Sequence, residues 1–87
     1  MKSAALPSFW ETYGNLDTDI RKRARKAYRL WADNPFHPSL RFKCINYDKD
    51  IWSVRITLGV RALGVLDGDT VTWFWIGRHD DYERFFG

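Results

Sequence analysis

The sequence predicts an α+β fold, with two N-terminal helices packed on a twisted antiparallel sheet of about four strands and a short C-terminal helical element. Three observations carry this. Residues 18–32 form a basic amphipathic run with a helical period. Beyond Pro38 the pattern changes to alternation broken by turn signals, the strongest being Asp67-Gly68. Aromatic residues make up 17% of the 87 residues. Such a chain buries only about 60–65% of its unfolded surface, and large rings supply the dense core it needs. One domain over 1–87 follows, with function expected on a surface groove.

Composition narrows the classes further. Cys44 is the one cysteine, so no intramolecular disulfide forms, and a lone thiol fits a reducing compartment. No Cys-x-x-Cys or histidine cluster suggests zinc, and no cofactor or metal is expected. After Lys2 the apolar stretch is only Ala4-Ala5-Leu6 before Pro7, which is not a secretory signal. The run Val71–Gly77 is too short to span a bilayer, so no membrane association and a cytoplasmic location are expected. Net charge is +3, unevenly spread. Thr18–Asn46 holds eight Lys/Arg against two Asp, a local +6, while Tyr47–Gly87 holds five against seven acids, a local −2. A basic half on a small domain suggests a polyanionic partner, although a solvated helix face accounts for a charge run equally well.

The elements follow in order. Ser8–Tyr13 reads as a short helix with Pro7 or Ser8 at its start. Asp17 or Thr18 caps the next helix, with Asp19 in its first turn. Its apolar stripe is Ile20, Ala24, Ala27, Tyr28 and Trp31, opposite Arg21, Lys22, Arg25, Lys26 and Arg29. Asn34-Pro35 ends it, and Pro38 keeps the following segment extended. Leu40–Ile45 reads as the first strand and Asn46–Asp50 as a polar turn. Ile51–Leu58 is the second strand, with Trp52, Val54, Ile56 and Leu58 on one face and Ser53, Arg55 and Thr57 on the other. Gly59 permits a reversal into Val60–Leu66. Asp67-Gly68 then leads into Thr70–Ile76, which is apolar on both faces and expected to be covered on both. Asp80–Phe86 closes the chain in one or two helical turns.

The order of these features resembles the RelE/ParE superfamily of bacterial toxins from toxin–antitoxin pairs. The likeness rests on the basic second helix, Asn34-Pro35, Trp52-Ser53-Val54-Arg55-Ile56, Gly59-Val60-Arg61-Ala62-Leu63 and Trp75-Ile76-Gly77-Arg78-His79-Asp80-Asp81-Tyr82. It implies a concave basic face covered by a cognate antitoxin protein. In the RelE branch that face cleaves mRNA in the ribosomal A site without metal, so mRNA and the ribosome are implied partners. The ParE branch inhibits DNA gyrase and is not a nuclease. An inactive interaction module of the same fold is a third reading, and fold alone does not choose.

Metal-free RNA cleavage needs proton removal from a 2′-hydroxyl, neutralisation of the charged transition state and protonation of the leaving oxygen. Arg55 and Arg61 are the candidate charge stabilisers. A three-residue turn over Leu58–Val60 puts both on one face, and a two-residue turn separates them. The family's pattern favours the first. His79 is the candidate acid or base, because histidine titrates near neutral pH. Tyr82 either assists or packs in the core. Arg78 supports the phosphate. Arg21, Lys22, Arg25, Lys26 and Arg29, with Arg41 and Lys43, are candidate RNA contacts that position without reading sequence. Some family nucleases carry a Glu before the first strand, where this chain has His37-Pro38-Ser39-Leu40. Others carry a Lys where this chain has Ser53. Both departures throw proton removal onto His79, with Lys43 as the lesser candidate.

Overall fold

In the computed structural model, which describes residues 1–81, two helices build one layer, and the opening strand joins the later part of the chain in a sheet. Helix α1 spans Pro7–Gly14, with proline at its first turn where a missing N–H costs nothing. Helix α2 spans Thr18–Asp33, and the Asp17 carboxylate caps it by accepting the Ile20 N–H at 2.9 Å. Asp19 lies in its first turn, at the positive end of the helix dipole. No helix among the described residues is long and apolar enough to cross a membrane.

Five strands form the sheet: β1 (Lys2–Ala5), β2 (Lys43–Asn46), β3 (Ile51–Thr57), β4 (Val60–Asp67) and β5 (Thr70–Arg78). Their order is β1-β5-β4-β3-β2. The expected antiparallel meander is present in β2 to β5. Gly68, at φ +62° in the β4–β5 turn, takes a conformation that side chains resist.

The principal core lies between the helices and one sheet face. Trp31, 1% exposed, sits edge-on to Trp73 at 5.3 Å and to Phe42 at 5.8 Å between ring centroids. Val54, Ala62 and Ile76 complete this side, while Ile51, Leu63 and Trp75 form a smaller cluster. Strand β5 contributes to both, as its two apolar faces predict. An irregularity makes this possible: Leu63 pairs with Trp75 but Gly64 with Trp73, so Phe74 is passed over and the alternation shifts. Gly64 lets the strands close here, because an added Cβ would lie 2.5 Å from Val71 Cγ1 and 2.9 Å from Trp73 Cε3.

Helix α1 completes the outer edge of β5. Strand β1 pairs with β5 only as far as Ala5 opposite Trp73. Beyond that point the Ser8 hydroxyl donates to the Phe74 carbonyl at 2.8 Å, and the Ile76 N–H donates to Thr12 Oγ1 at 3.1 Å. Two helix hydroxyls thus satisfy backbone groups that a longer strand would otherwise have bonded.

Several expectations need correction. The sheet has five strands rather than about four, and β1 runs parallel to β5, so the sheet is mixed. The strand expected over Leu40–Ile45 starts only at Lys43, because Pro38–Leu40 forms a 3-10 turn and Arg41 adopts a left-handed φ of 46°. Tyr28, placed on the buried stripe, is 48% exposed. Of the C-terminal helical element, residues 79–81 form a 3-10 turn, and the remainder, with Tyr82, lies outside the described residues.

Candidate nucleic-acid interface

The site is organised around the β3–β4 hairpin. Leu58 and Gly59 form a two-residue turn, with Thr57 opposite Val60. An unbroken ladder would next pair Ile56 with Arg61 and put the two arginines out of phase. Instead the register shifts, and Arg55 pairs directly with Arg61. The extra residue, Ile56, is taken up by a bulge, which restores the shared face expected from a longer turn though not that turn's register. The neighbouring pair, Val54 and Ala62, belongs to the helix-side core. By the alternation of the pleat, Arg55 and Arg61 project from the opposite face.

Like charges directly opposite one another repel, so their side chains need anchoring. Arg61 Nη1 donates to the carbonyls of Thr57 at 2.7 Å, Leu58 at 3.2 Å and Val60 at 3.1 Å. The arginine clasps its own turn. His79 reaches the same turn through its backbone, its N–H donating to the Gly59 carbonyl at 2.8 Å. The residue is half-buried, with Nδ1 out of water. Leu58–Gly59 therefore holds Arg61 from β4 and the His79 backbone just past the end of β5.

Lys43 is exposed and pairs with Ser53, two positions along β3 from Arg55 and on the same face. The lysine absent at Ser53 in sequence is thus matched by a cation on the adjoining strand. Beneath Arg61, Gly77 is its partner on β5, and the Trp75 indole occupies the space that a Gly77 Cβ would need, at 2.5 Å. Arg78 pairs with Val60, whose side chain is in the helix-side core. It is therefore out of phase with the Arg55–Arg61 pair, though exposed at the strand end. Arg41 is exposed and caps the 3-10 turn.

Four of the α2 cations, Arg23, Arg25, Lys26 and Arg29, line two grooves, and Arg21 and Lys22 line neither. Arg21 is tied locally, to the Gly14 carbonyl and Thr18 Oγ1. Arg25 donates to the Tyr13 hydroxyl at 2.7 Å, and with Arg29 it borders an aromatic groove of about 490 Å³ that includes Trp10, Tyr28 and Trp73. Lys22 is exposed and borders neither groove. Lys26 borders a second groove of about 800 Å³ that reaches Arg55. Arg23 shares that groove and was missed from sequence, although its spacing three residues before Lys26 is the available signal.

Residues 18–84 match the family of ParE-like toxin domains. The chain belongs to this family. The expected RelE/ParE-superfamily toxin is thereby established, and solved structures agree on its fold. A YoeB/ParE toxin from Agrobacterium tumefaciens matches with a TM-score of 0.70 at 21% identity, over 91% of this chain and 99% of the other. The RelB–RelE antitoxin–toxin complex of Methanococcus jannaschii gives 0.76 at 15% identity, over 97% and 99%. YafQ from E. coli gives 0.73 at 10% identity, over 99% and 98%. No curated protein matches the chain.

Proposed function

We propose that this ParE-like toxin is a metal-independent endoribonuclease that cuts mRNA, acting on the ribosome, and that a cognate antitoxin neutralises it. The observation that carries the reading is the in-register pair Arg55–Arg61 on the face away from the helices, with Lys43 beside it and His79 anchored to the same hairpin turn. In the proposed reaction a base removes the 2′-hydroxyl proton and the 2′-oxygen attacks the adjacent phosphorus. The P–O5′ bond breaks, leaving a 2′,3′-cyclic phosphate and a 5′-hydroxyl once the leaving oxygen is protonated. Arg55 and Arg61 stabilise the added negative charge on the phosphoryl oxygens. His79 moves the proton. Each proton transfer contributes about 10²–10⁴ in rate, and removing one preorganised donor typically costs about 10²–10³.

The antitoxin is inferred from solved relatives that are themselves complexes, RelB–RelE from M. jannaschii and YoeB–YefM from Staphylococcus aureus. Gyrase inhibition is the second reading, favoured by the ParE-like character of the matched family. Inducing the chain in a bacterium separates the two. Translation arrest with mRNA cut at codons is expected, and a DNA-damage response with intact mRNA would overturn the nuclease. His79→Ala should abolish cleavage while preserving the fold, and unchanged cleavage by that variant removes His79 from the chemistry.

A further inference from the structure

We propose that the groove between α2 and the β3–β4 hairpin binds the phosphodiester backbone of single-stranded RNA flanking the cleavage point, with Arg23 and Lys26 as its phosphate contacts. This deepens the nuclease reading and rests on it for the position of the cut. The connecting residue is Arg55. Strand β2 pairs with β3 only at Ile51, Trp52 and Ser53, so the sheet edge beside Arg55 has no strand partner there, and the Pro38–Leu40 turn packs against β3, with Ser39 and Leu40 lining the groove. Arg55 consequently belongs to two surfaces: it pairs with Arg61 on the sheet face, and it also lines the groove with Arg23 and Lys26. A strand crossing the Arg55–Arg61 pair runs over this edge directly into the groove.

The lining suits that ligand. It contains three cations, and no carboxylate is among its described residues. Phosphate contacts of this kind fix orientation without reading sequence. The hairpin side adds Ile56 and Leu58, and Leu58 is 77% exposed at the turn. A duplex hides its base faces, whereas a single strand presents ribose and base surface that gains from apolar contact. An exposed leucine between arginines is therefore matched to a single strand.

The test is fluorescence anisotropy of the full chain with a fully 2′-O-methylated, uncleavable RNA decamer across a salt series. For single strands each phosphate contact contributes about 0.7 to the slope of log K against log salt. The double variant Arg23→Gln/Lys26→Gln should flatten the slope by about 1.4, and Lys26→Gln alone by about 0.7. A trinucleotide, with fewer phosphates to place in the groove, should show less change. Lys2→Gln/Lys49→Gln removes equal charge away from the groove and should leave the slope close to that of the unaltered chain. Thermal melting confirms that the variants are folded. An unchanged slope in the groove variant overturns the proposal, and so does an equal loss in the Lys2/Lys49 control. Equal sensitivity of a decaglutamate peptide to the groove variant overturns it in favour of an acidic protein ligand. Cleavage of unmodified RNA is read separately. Absence of cleavage with the slope result intact refutes the nuclease alone, and cleavage without the slope result refutes the groove alone.

Discussion

Replacing Arg61 by alanine should destabilise the toxin as well as inactivate it, whereas replacing Arg55 should only inactivate it. Arg61 Nη1 faces three carbonyl oxygens at 2.7, 3.2 and 3.1 Å, but a terminal guanidinium nitrogen carries only two N–H groups. At most two full bonds are present, shared among the three acceptors. Bonds to a charged group contribute about 1.5–3 kcal/mol each when well buried. These are partly exposed, and water replaces the donor after truncation, so about 1 kcal/mol each is the working figure, or about 2 kcal/mol in all. In a domain of this size each kcal/mol moves Tm by about 4–8 °C, so Arg61→Ala should melt roughly 10 °C lower. Arg55→Ala should cost under about 1 kcal/mol. Both variants should lose about 10²–10³ in single-turnover cleavage. Differential scanning fluorimetry beside a cleavage assay reads both quantities. Equal melting of the two variants, or unaltered melting of Arg61→Ala, would refute the clasp.

Three further outcomes are expected. Gly64→Ala should lose about 1–3 kcal/mol in chemical denaturation, because its methyl has no room between Val71 and Trp73; wild-type stability would contradict the close strand approach. Gly77→Ala should displace the Trp75 indole, seen as an altered near-UV circular dichroism spectrum, and should lower cleavage by disturbing the floor beside Arg61. Asp17→Ala should cost about 1 kcal/mol in denaturant through the lost helix cap and leave RNA cleavage unaltered, since Asp17 lies at the start of α2 and lines neither groove.

Much of this was legible in the sequence where local chemistry decides structure. Asp17 capped the helix expected after it, and the alternation around Trp52 and Val54 placed Arg55 on the polar face. Strand β1 was not legible, because Lys-Ser-Ala-Ala has weak strand character and forms its ladder with residues far along the chain. The late start of β2 was hidden because Arg41, a residue with no special tolerance for positive φ, takes the left-handed conformation. A three-residue turn was expected to set Thr57 opposite Arg61 and so put both arginines on one face; a two-residue turn and a bulge at Ile56 set Arg55 itself opposite Arg61. The shared face agrees, although the facing residues and the backbone do not. The separation of Lys26 from Arg25 and Arg29 depends on which neighbours flank α2, which a helical period cannot supply.

The attachment of both β1 and α1 to β5 has a consequence for the order of assembly. Lys2 pairs with Thr70, and Thr12 receives its backbone donor from Ile76. The Thr12 contact alone spans 64 residues of sequence, so the N-terminal segment cannot settle until β5 reaches it. The β3–β4 hairpin, closed by a two-residue turn, needs no such delay. Ordering long-range contacts requires loop closure before the contacts reward it, which slows folding. The arginine hairpin can therefore form early, while the layers that support it close only once these distant segments meet.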